Sequence, residues 1–328
     1  MRAFQISASD DVLTTAVVEV TPRAKDPGDI LVRVDYSGVN YKDAMVVDPR
    51  LRVRRSPELV GGVDAAGEIV ESSDPSLAVG ARVAVHGGDL GVARDGGFAE
   101  YVYAPARYVS LLPEEISTRD AMIVGTAGLS AMRSILALED HGLGDGEVLV
   151  TGATGGVGSM AVSLLAARGY RVVASTGSAE SIGWLEGLGA SRVIGREEIA
   201  DKPDRVLASE RWAGAVDCVG GDTLAQILRS LRYGAAVAAS GLVAGADLVT
   251  TVYPFITRAV ALVGVDVVEM DARSRARTWE AVAALAARLD LSSLVDREVG
   301  LEGVGDALDV IRRGATRGRI VVRPTPGG

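Results

Sequence analysis

A chain of 328 residues, 48% hydrophobic and only 4% aromatic, predicts two domains whose cores are closely packed Ala, Val and Leu. Its formal charge of −9, with no long basic stripe, excludes nucleic acid as the main partner, because neutralising phosphates takes clustered Lys and Arg. One cysteine, Cys218, excludes an internal disulfide, and His86 and His141 add too few donors for a structural zinc site, so no metal is expected.

The opening MRAFQISASDDV lacks the basic, apolar and small-residue segments of a secretory signal. No uninterrupted apolar run reaches the ~18 residues of a membrane span. A cytoplasmic protein with no membrane partner is the expectation.

In chain order, DILVRVDYSGVN (29–40) sets Ile30, Val32 and Val34 against Leu31, Arg33 and Asp35, which suits a half-buried strand. The basic run RLRVRRSP (50–57) reads as a solvated face or an electrostatic attractor for phosphates. GVDAAGEIVESS, ARVAVHGG and FAEYVYAPA continue as strand-like pieces broken by Gly and Pro, a mostly antiparallel β domain. His86 in AVHGG is expected to be a satisfied, non-catalytic histidine.

From residue 147 the pattern changes. EVLVTGA (147–153), RVVAST (171–176), SRVI (191–194), GAVDCVG (214–220), AAVAASG (235–241) and ALVGVD (261–266) read as strands, several apolar at every position as strands covered on both faces are. SMAVSLLAARG and DTLAQILRSL have helical spacing, with Gly169 stopping the first. Strand and helix in alternation predict a doubly wound parallel sheet, an α/β fold. Cys218 is expected in a core strand. After a helix near 275–289, DREVGL and GRIVVRP read as strands around the helix GVGDALDVIRRG. The β domain is therefore discontinuous, and the expected boundaries are 1–122 with 290–328 for it and 123–289 for the inserted nucleotide domain.

The first strand of that insert runs into Gly152-Ala-Thr154-Gly155-Gly156-Val157-Gly158 and then a helix, whose unobstructed N–H groups suit a pyrophosphate. No GK[ST] follows, so it is not a Walker loop. Dinucleotide folds that prefer NAD hold an acid near the end of the next strand. Here the chain reads VVASTGS, so Ser175, Thr176, Gly177 and Ser178 are candidate 2′-phosphate contacts with Arg196 as charge partner, and the cofactor is read as NADPH.

The strings SGVNYKDAM (37–45), GVDAAGEIV (62–70), GGFAEY (96–101), GTAGLSAM (125–132), VTGATGGVGS (150–159), WAGAVDCVGG (212–221) and residues 239–266 carry a resemblance along nearly the whole chain. It resembles the medium-chain dehydrogenase/reductase superfamily, and more narrowly its zinc-free branch of acryloyl-CoA reductases and quinone oxidoreductases. The resemblance implies a Rossmann domain inserted in a GroES-like β domain and hydride transfer from NADPH to an activated C=C bond. It implies Asn40, Asp43 and Arg319 as the polar trio of the active site, with Asp43–Arg319 read as an orienting ion pair. It places Tyr41 near the cofactor, Thr154, Gly155, Gly156 and Val157 on its phosphates with Gly158 closing the turn, Leu242, Ile256 and Val267 beside the nicotinamide, and Arg313 late in the cofactor site. Pairing of ALVGVDVV across a dimer axis is implied as well.

The sequence departs from the family at Ser178, where relatives carry Arg or Lys, at LVGGVD where near relatives have IPGID, and in the loop ARDGGFAE, whose Arg94 and Asp95 are expected near the substrate mouth. The first functional reading is an NADPH-dependent reductase of a short enoyl thioester. The alternatives are a quinone or enone reductase of the same fold and a non-enzymatic NADPH-binding protein.

Overall fold

The computed structural model describes residues 1–9, 12–24, 26–199 and 206–325. Contacts divide the chain into two units. One comprises Met1–Thr126, Val267–Ala286 and Asp290–Gly328; the other Ala127–Asp266 and Ala287–Leu289.

In the first unit β1 (Arg2–Ser9), β2 (Val12–Glu19), β3 (Asp29–Val39), helix α1 (Tyr41–Val46), β4 (Glu58–Val60), β5 (Asp64–Glu71), β6 (Arg82–His86), β7 (Tyr101–Pro105) and β8 (Val109–Leu111) follow one another. β3 keeps Ile30, Val32 and Val34 buried and Arg33 exposed as its sequence predicts, but Leu31, expected opposite them, is buried as well. It ends fully buried at Ser37–Val39, and this end carries the site described below. Helix α2 (Thr118–Asp140) follows, interrupted at Gly125, whose φ of 52° and ψ of −166° are not helical. α2 is long and apolar enough to cross a membrane, with a mean hydropathy of 1.6 over its best window, yet 83% of that window is buried inside the protein, as in a core helix.

The second unit holds β9 (Glu147–Val150), α3 (Gly156–Ala167), β10 (Arg171–Thr176), α4 (Ile182–Gly187), β11 (Arg192–Gly195), β12 (Gly214–Asp217), α5 (Gly221–Ser230), β13 (Ala236–Ala239), α6 (Tyr253–Arg258) and β14 (Ala261–Gly264). The strands form one parallel sheet in the order β11-β10-β9-β12-β13-β14, the doubly wound order that leaves a nucleotide crevice at the carboxyl ends of the strands. Its core joins Leu149, Val173, Ala215 and Val237 from the strands to Leu224, Ile227 and Leu228 from α5. Several strands stop short of the predicted ends because the following Gly turns begin earlier; β12 closes at Asp217, so Cys218 lies just beyond it and is partly exposed rather than in the core.

The chain then supplies α7 (Ala272–Ala283), β15 (Val295–Val299), α8 (Val304–Arg312) and β16 (Arg319–Val322). β16 enters the first unit's seven-stranded sheet between β15 and β3, parallel to β15 and antiparallel to β3. The expected boundary put residues 267–286 in the nucleotide domain; their contacts put them in the first unit. Buried Arg275 of α7 donates to the carbonyls of His86 and Tyr108, and Trp279 stacks on His86 at 5.7 Å.

Candidate active site and dinucleotide site

The first unit buries a polar network where β3 ends and β5 begins. Asp64, the first residue of β5 and fully buried, accepts four hydrogen bonds: from Asn40 Nδ2 (2.8 Å), from the Thr126 N–H (2.8 Å) and hydroxyl (2.5 Å), and at Oδ1 from His86 Nδ1 (2.8 Å). Burial alone would raise its pKa, but the His86 charge with the His86 and Thr126 hydrogen bonds holds the carboxyl at about 2. Arg319, 2% exposed at the start of β16, donates to the carbonyls of Ile123 (2.9 Å), Val39 and Met122 and to Asn40 Oδ1 (3.1 Å). Its nearest carboxylate is Asp64, at 4.0 Å.

This corrects the expected Asp43–Arg319 pair. Asp43 instead accepts from the N–H of Asn40 (2.8 Å) and of Val63 (2.9 Å), so it closes the first turn of α1 and ties that helix to the turn just ahead of β5. The Asn40 amide is also committed, one way to Arg319 and the other to Asp64 and the Gly38 carbonyl (3.2 Å). Asn40, Asp43 and Arg319 do come together, as a buried positioning network around an acid that sequence reasoning passed over. GVDAAGEIV reads as a strand, and Asp64, set among apolar neighbours, was the available signal.

Desolvation pushes the Asp43 carboxyl up to about 7, and the two backbone N–H bonds and Arg319 offset it only in part. A folded-state pKa above the usual 3.8 means that Asp43 binds its proton more tightly in the folded chain. Its stabilising contribution is complete below that usual value and is lost as pH rises toward about 7. Asp43→Asn, which does not titrate, is the reference. The stability of the natural chain relative to the variant should fall between pH 4 and pH 7 in urea titrations. A relative stability that rises over that interval would overturn the assignment.

In the second unit, Gly152 turns the chain at φ 57° and Gly155 caps α3 with extended backbone and no side-chain hydrogen bond. The N–H groups of Gly156, Val157 and Gly158 in the first turn therefore lack intrahelical partners and form an anion cradle beside Thr154. A side chain at Gly158 would collide with the Gly152 carbonyl, so glycine there lets the helix meet the turn. Next to it, Asp217 is fully buried and accepts from the Thr151 hydroxyl (2.6 Å) and the Gly220 N–H (2.8 Å), fixing the ends of β9 and β12.

β10 and β11 pair in register with Thr176 opposite Gly195. Arg196 is thereby carried to the turn after β10, where its guanidinium covers Gly177: a Cβ on Gly177 would lie 2.7 Å from Arg196 Cζ. Thr176 Oγ1 accepts from the Ser178 N–H (3.0 Å), which shapes the turn, and the Ser178 hydroxyl meets Ser181. Ser175 is 3% exposed inside the strand, so the candidate contacts narrow to the open turn of Gly177 and Ser178 with Arg196. Arg196→Ala is expected to shift the ratio of kcat/KM values for NADPH and NADH toward NADH by about tenfold. Exposure keeps the effect at the low end for a charge-assisted bond. An unchanged ratio in steady-state assays would remove Arg196 from the site.

The other expected positions are divided between the two units. Tyr41 opens α1 and is 47% exposed; Val267 is buried in the first unit. Leu242 and Ile256 are 56% and 72% exposed in the second, and Arg313 follows α8 near Asp309 at 3.9 Å. Arg94 is committed to an ion-pair network of its own. Its buried guanidinium is held by Asp26 (2.6 Å), Asp29 (2.7 Å) and Asp89 (3.1 Å), while Asp95 accepts from the Val60 N–H (2.9 Å). The ARDGG loop is a folded brace. His86 is only half satisfied, since its Nε2 is buried without a partner among the described residues.

Two family models match, an alcohol dehydrogenase GroES-like domain over residues 26–114 and a zinc-binding dehydrogenase over 156–288. The chain is 43% identical to the protein named putative quinone oxidoreductase YhfP, of Bacillus subtilis, over 98% of both chains. The chain belongs to the medium-chain dehydrogenase/reductase superfamily. Among this superfamily it is also 43% identical to the acrylyl-CoA reductase AcuI of Ruegeria pomeroyi, over 90% of each chain. The yhdH oxidoreductase of Salmonella enterica, solved in complex with NADP, superposes with a TM-score of 0.94 at 38% identity, covering 99% of this chain and 100% of that one. Zinc, which one model's description names, does not fit this member of the superfamily. Among the described residues no three His, Cys, Asp or Glu side chains form a group that could hold a metal ion. Desolvation, with Asp217 beside it, pushes the Cys218 thiol up to about 12, and His86 gives Nδ1 to Asp64.

Proposed function

We propose that the protein uses NADPH to reduce the C=C bond of a short α,β-unsaturated acyl thioester; its relative AcuI carries the name acrylyl-CoA reductase. That likeness carries the reading; Arg196 against Gly177, with no acid at the end of β10, supports the phosphorylated cofactor. NADPH supplies the hydride when bound. The N–H groups opening α3 would hold its diphosphate, and the turn of Gly177 and Ser178 with Arg196 would hold its 2′-phosphate. Hydride added at the β-carbon leaves an enolate, which needs a nearby donor and then a proton at the α-carbon. The Asp64 network fixes the start of α1, and the exposed Tyr41 phenol or water delivers the proton. Catalysis then rests chiefly on positioning.

A homodimer completes the proposal, formed along the outer edge of β14, which among the described residues pairs only with β13 and exposes Leu262. A cytoplasmic location with neither membrane nor nucleic-acid partners is part of the same reading. The second reading, a quinone or enone reductase, is favoured by the likeness to YhfP. NADPH oxidation by the purified protein with acryloyl-CoA, beside a simple quinone at equal concentration, separates the two. Thioester-dependent oxidation that yields propionyl-CoA supports the first; oxidation with the quinone alone replaces it with the second.

A further inference from the structure

The first unit contains a cavity of about 540 Å³, within the range of small-molecule sites, that the Asp64 network does not use. Lys42, Arg52, Arg55 and Arg107 line it, against the two acids Asp89 and Glu269. Asp89 is already bound to Arg94, so it neutralises little of that charge. Lys42, Arg52 and Arg55 make no ion pair among the described residues. Arg107 spends one N–H on the Tyr108 hydroxyl (3.2 Å) and stacks over that ring at 4.5 Å, which fixes its guanidinium beside the cavity.

Two features mark the cavity as a built site. Arg52 has φ 50°, one of two non-glycine residues with positive φ among those described, and this backbone turns away from its ordinary conformation at the rim. Gly88 lies so close against Tyr108 that any side chain there would overlap the ring, so the floor is made of backbone. Lys42 lies in α1 between Tyr41 and Asp43, which joins this cavity to the element that the buried network holds in place.

We propose that this cavity is an anion subsite for the phosphates of an acyl-coenzyme A substrate. The proposal rests on the thioester reading above and extends it. A dianionic phosphate meets several unpaired cations in a recess shielded on one side by protein, where charge-assisted hydrogen bonds are strong. A quinone gains nothing from such a lining.

The same phosphate chemistry occurs in NADPH, so the test holds that cofactor at saturation. Coenzyme A binding to the NADPH-loaded protein is measured by calorimetry, for the natural chain and for the double variant Arg52→Gln, Arg55→Gln. Both side chains are exposed, and thermal melting checks that the variant is folded. We expect the variant to bind coenzyme A at least about tenfold more weakly, roughly the loss of one charge-assisted bond. Its NADPH affinity should be unchanged. The KM for acryloyl-CoA should rise relative to that for the phosphate-free N-acetylcysteamine thioester. Equal coenzyme A affinity in both proteins, or an equal loss of NADPH affinity, overturns the proposal. If acryloyl-CoA is reduced with the same KM by the variant, the subsite falls and the reductase reading stands. If coenzyme A binds as expected but no thioester is reduced, the reductase reading falls and the subsite stands.

Discussion

Asp64→Ala is expected to lower the unfolding free energy by about 3–5 kcal/mol, the range for removing one partner of a buried charged network. Four hydrogen bonds converge on this carboxylate in the absence of solvent, and the variant leaves the Asn40 amide, the Thr126 N–H and hydroxyl and His86 Nδ1 without their acceptor. It also leaves Arg319 buried with no carboxylate within 4.0 Å among the described residues. Because folding holds Asp64 at about 2, its contribution is complete above the ordinary carboxylate value of 3.8 and disappears as pH falls toward 2. The destabilisation should therefore be large at pH 7 and shrink in acid. Turnover should drop as well, since the start of α1 would no longer be held. Urea unfolding at pH 7 and pH 3 measures the first effect, and a loss below about 1 kcal/mol at pH 7 would mean that the network is redundant.

Gly125→Ala should be nearly as damaging for a different reason. The backbone there, at φ 52° and ψ −166°, lies in a region open to glycine and strained by about 1–3 kcal/mol for other residues. A Cβ would also sit 2.6 Å from Arg319 Nη2 and 2.7 Å from Asp64 Oδ2, so the ion pair must move apart to admit it. Gly169→Ala is the control, because its φ of 87° is equally left-handed but nothing lies within 4 Å of the added carbon. The control should lose about 1–2 kcal/mol, the backbone strain alone. The Gly125 variant should lose clearly more and should lose turnover with it. Equal losses would mean that the network yields without consequence.

The parallel sheet was legible because its strands are apolar at nearly every position and each is followed by a glycine turn or a helix of the right period. The phosphate turn was legible for the same local reason. Arg196 was placed by strand register, which the sequence suggests once β10 and β11 are recognised as neighbours. Asp64 and Thr126 were not found, because their roles come from contacts across 62 positions that no spacing rule encodes. The same holds for Arg94: a changed loop looks like altered specificity until Asp26 and Asp29, remote in sequence, are seen to meet it. Helical period identifies α7 but says nothing of which sheet it covers; Arg275 and Trp279 decide that through His86 and Tyr108.

The position of β16 bears on how the molecule comes into being. Residues 127–266, contiguous in sequence, have all the strands of their own sheet once they leave the ribosome. The unit begun earlier cannot close, since the Ser37–Val39 end of β3 lacks its neighbour until Arg319–Val322 are made. The contact between Asn40 and Arg319 spans 279 positions, a closure that slows folding relative to local contacts. During synthesis the earlier-made part is thus an open-edged sheet with two carboxylates awaiting a cation, and the later-made part matures first. Helpers that shield strand edges would be needed most in that interval.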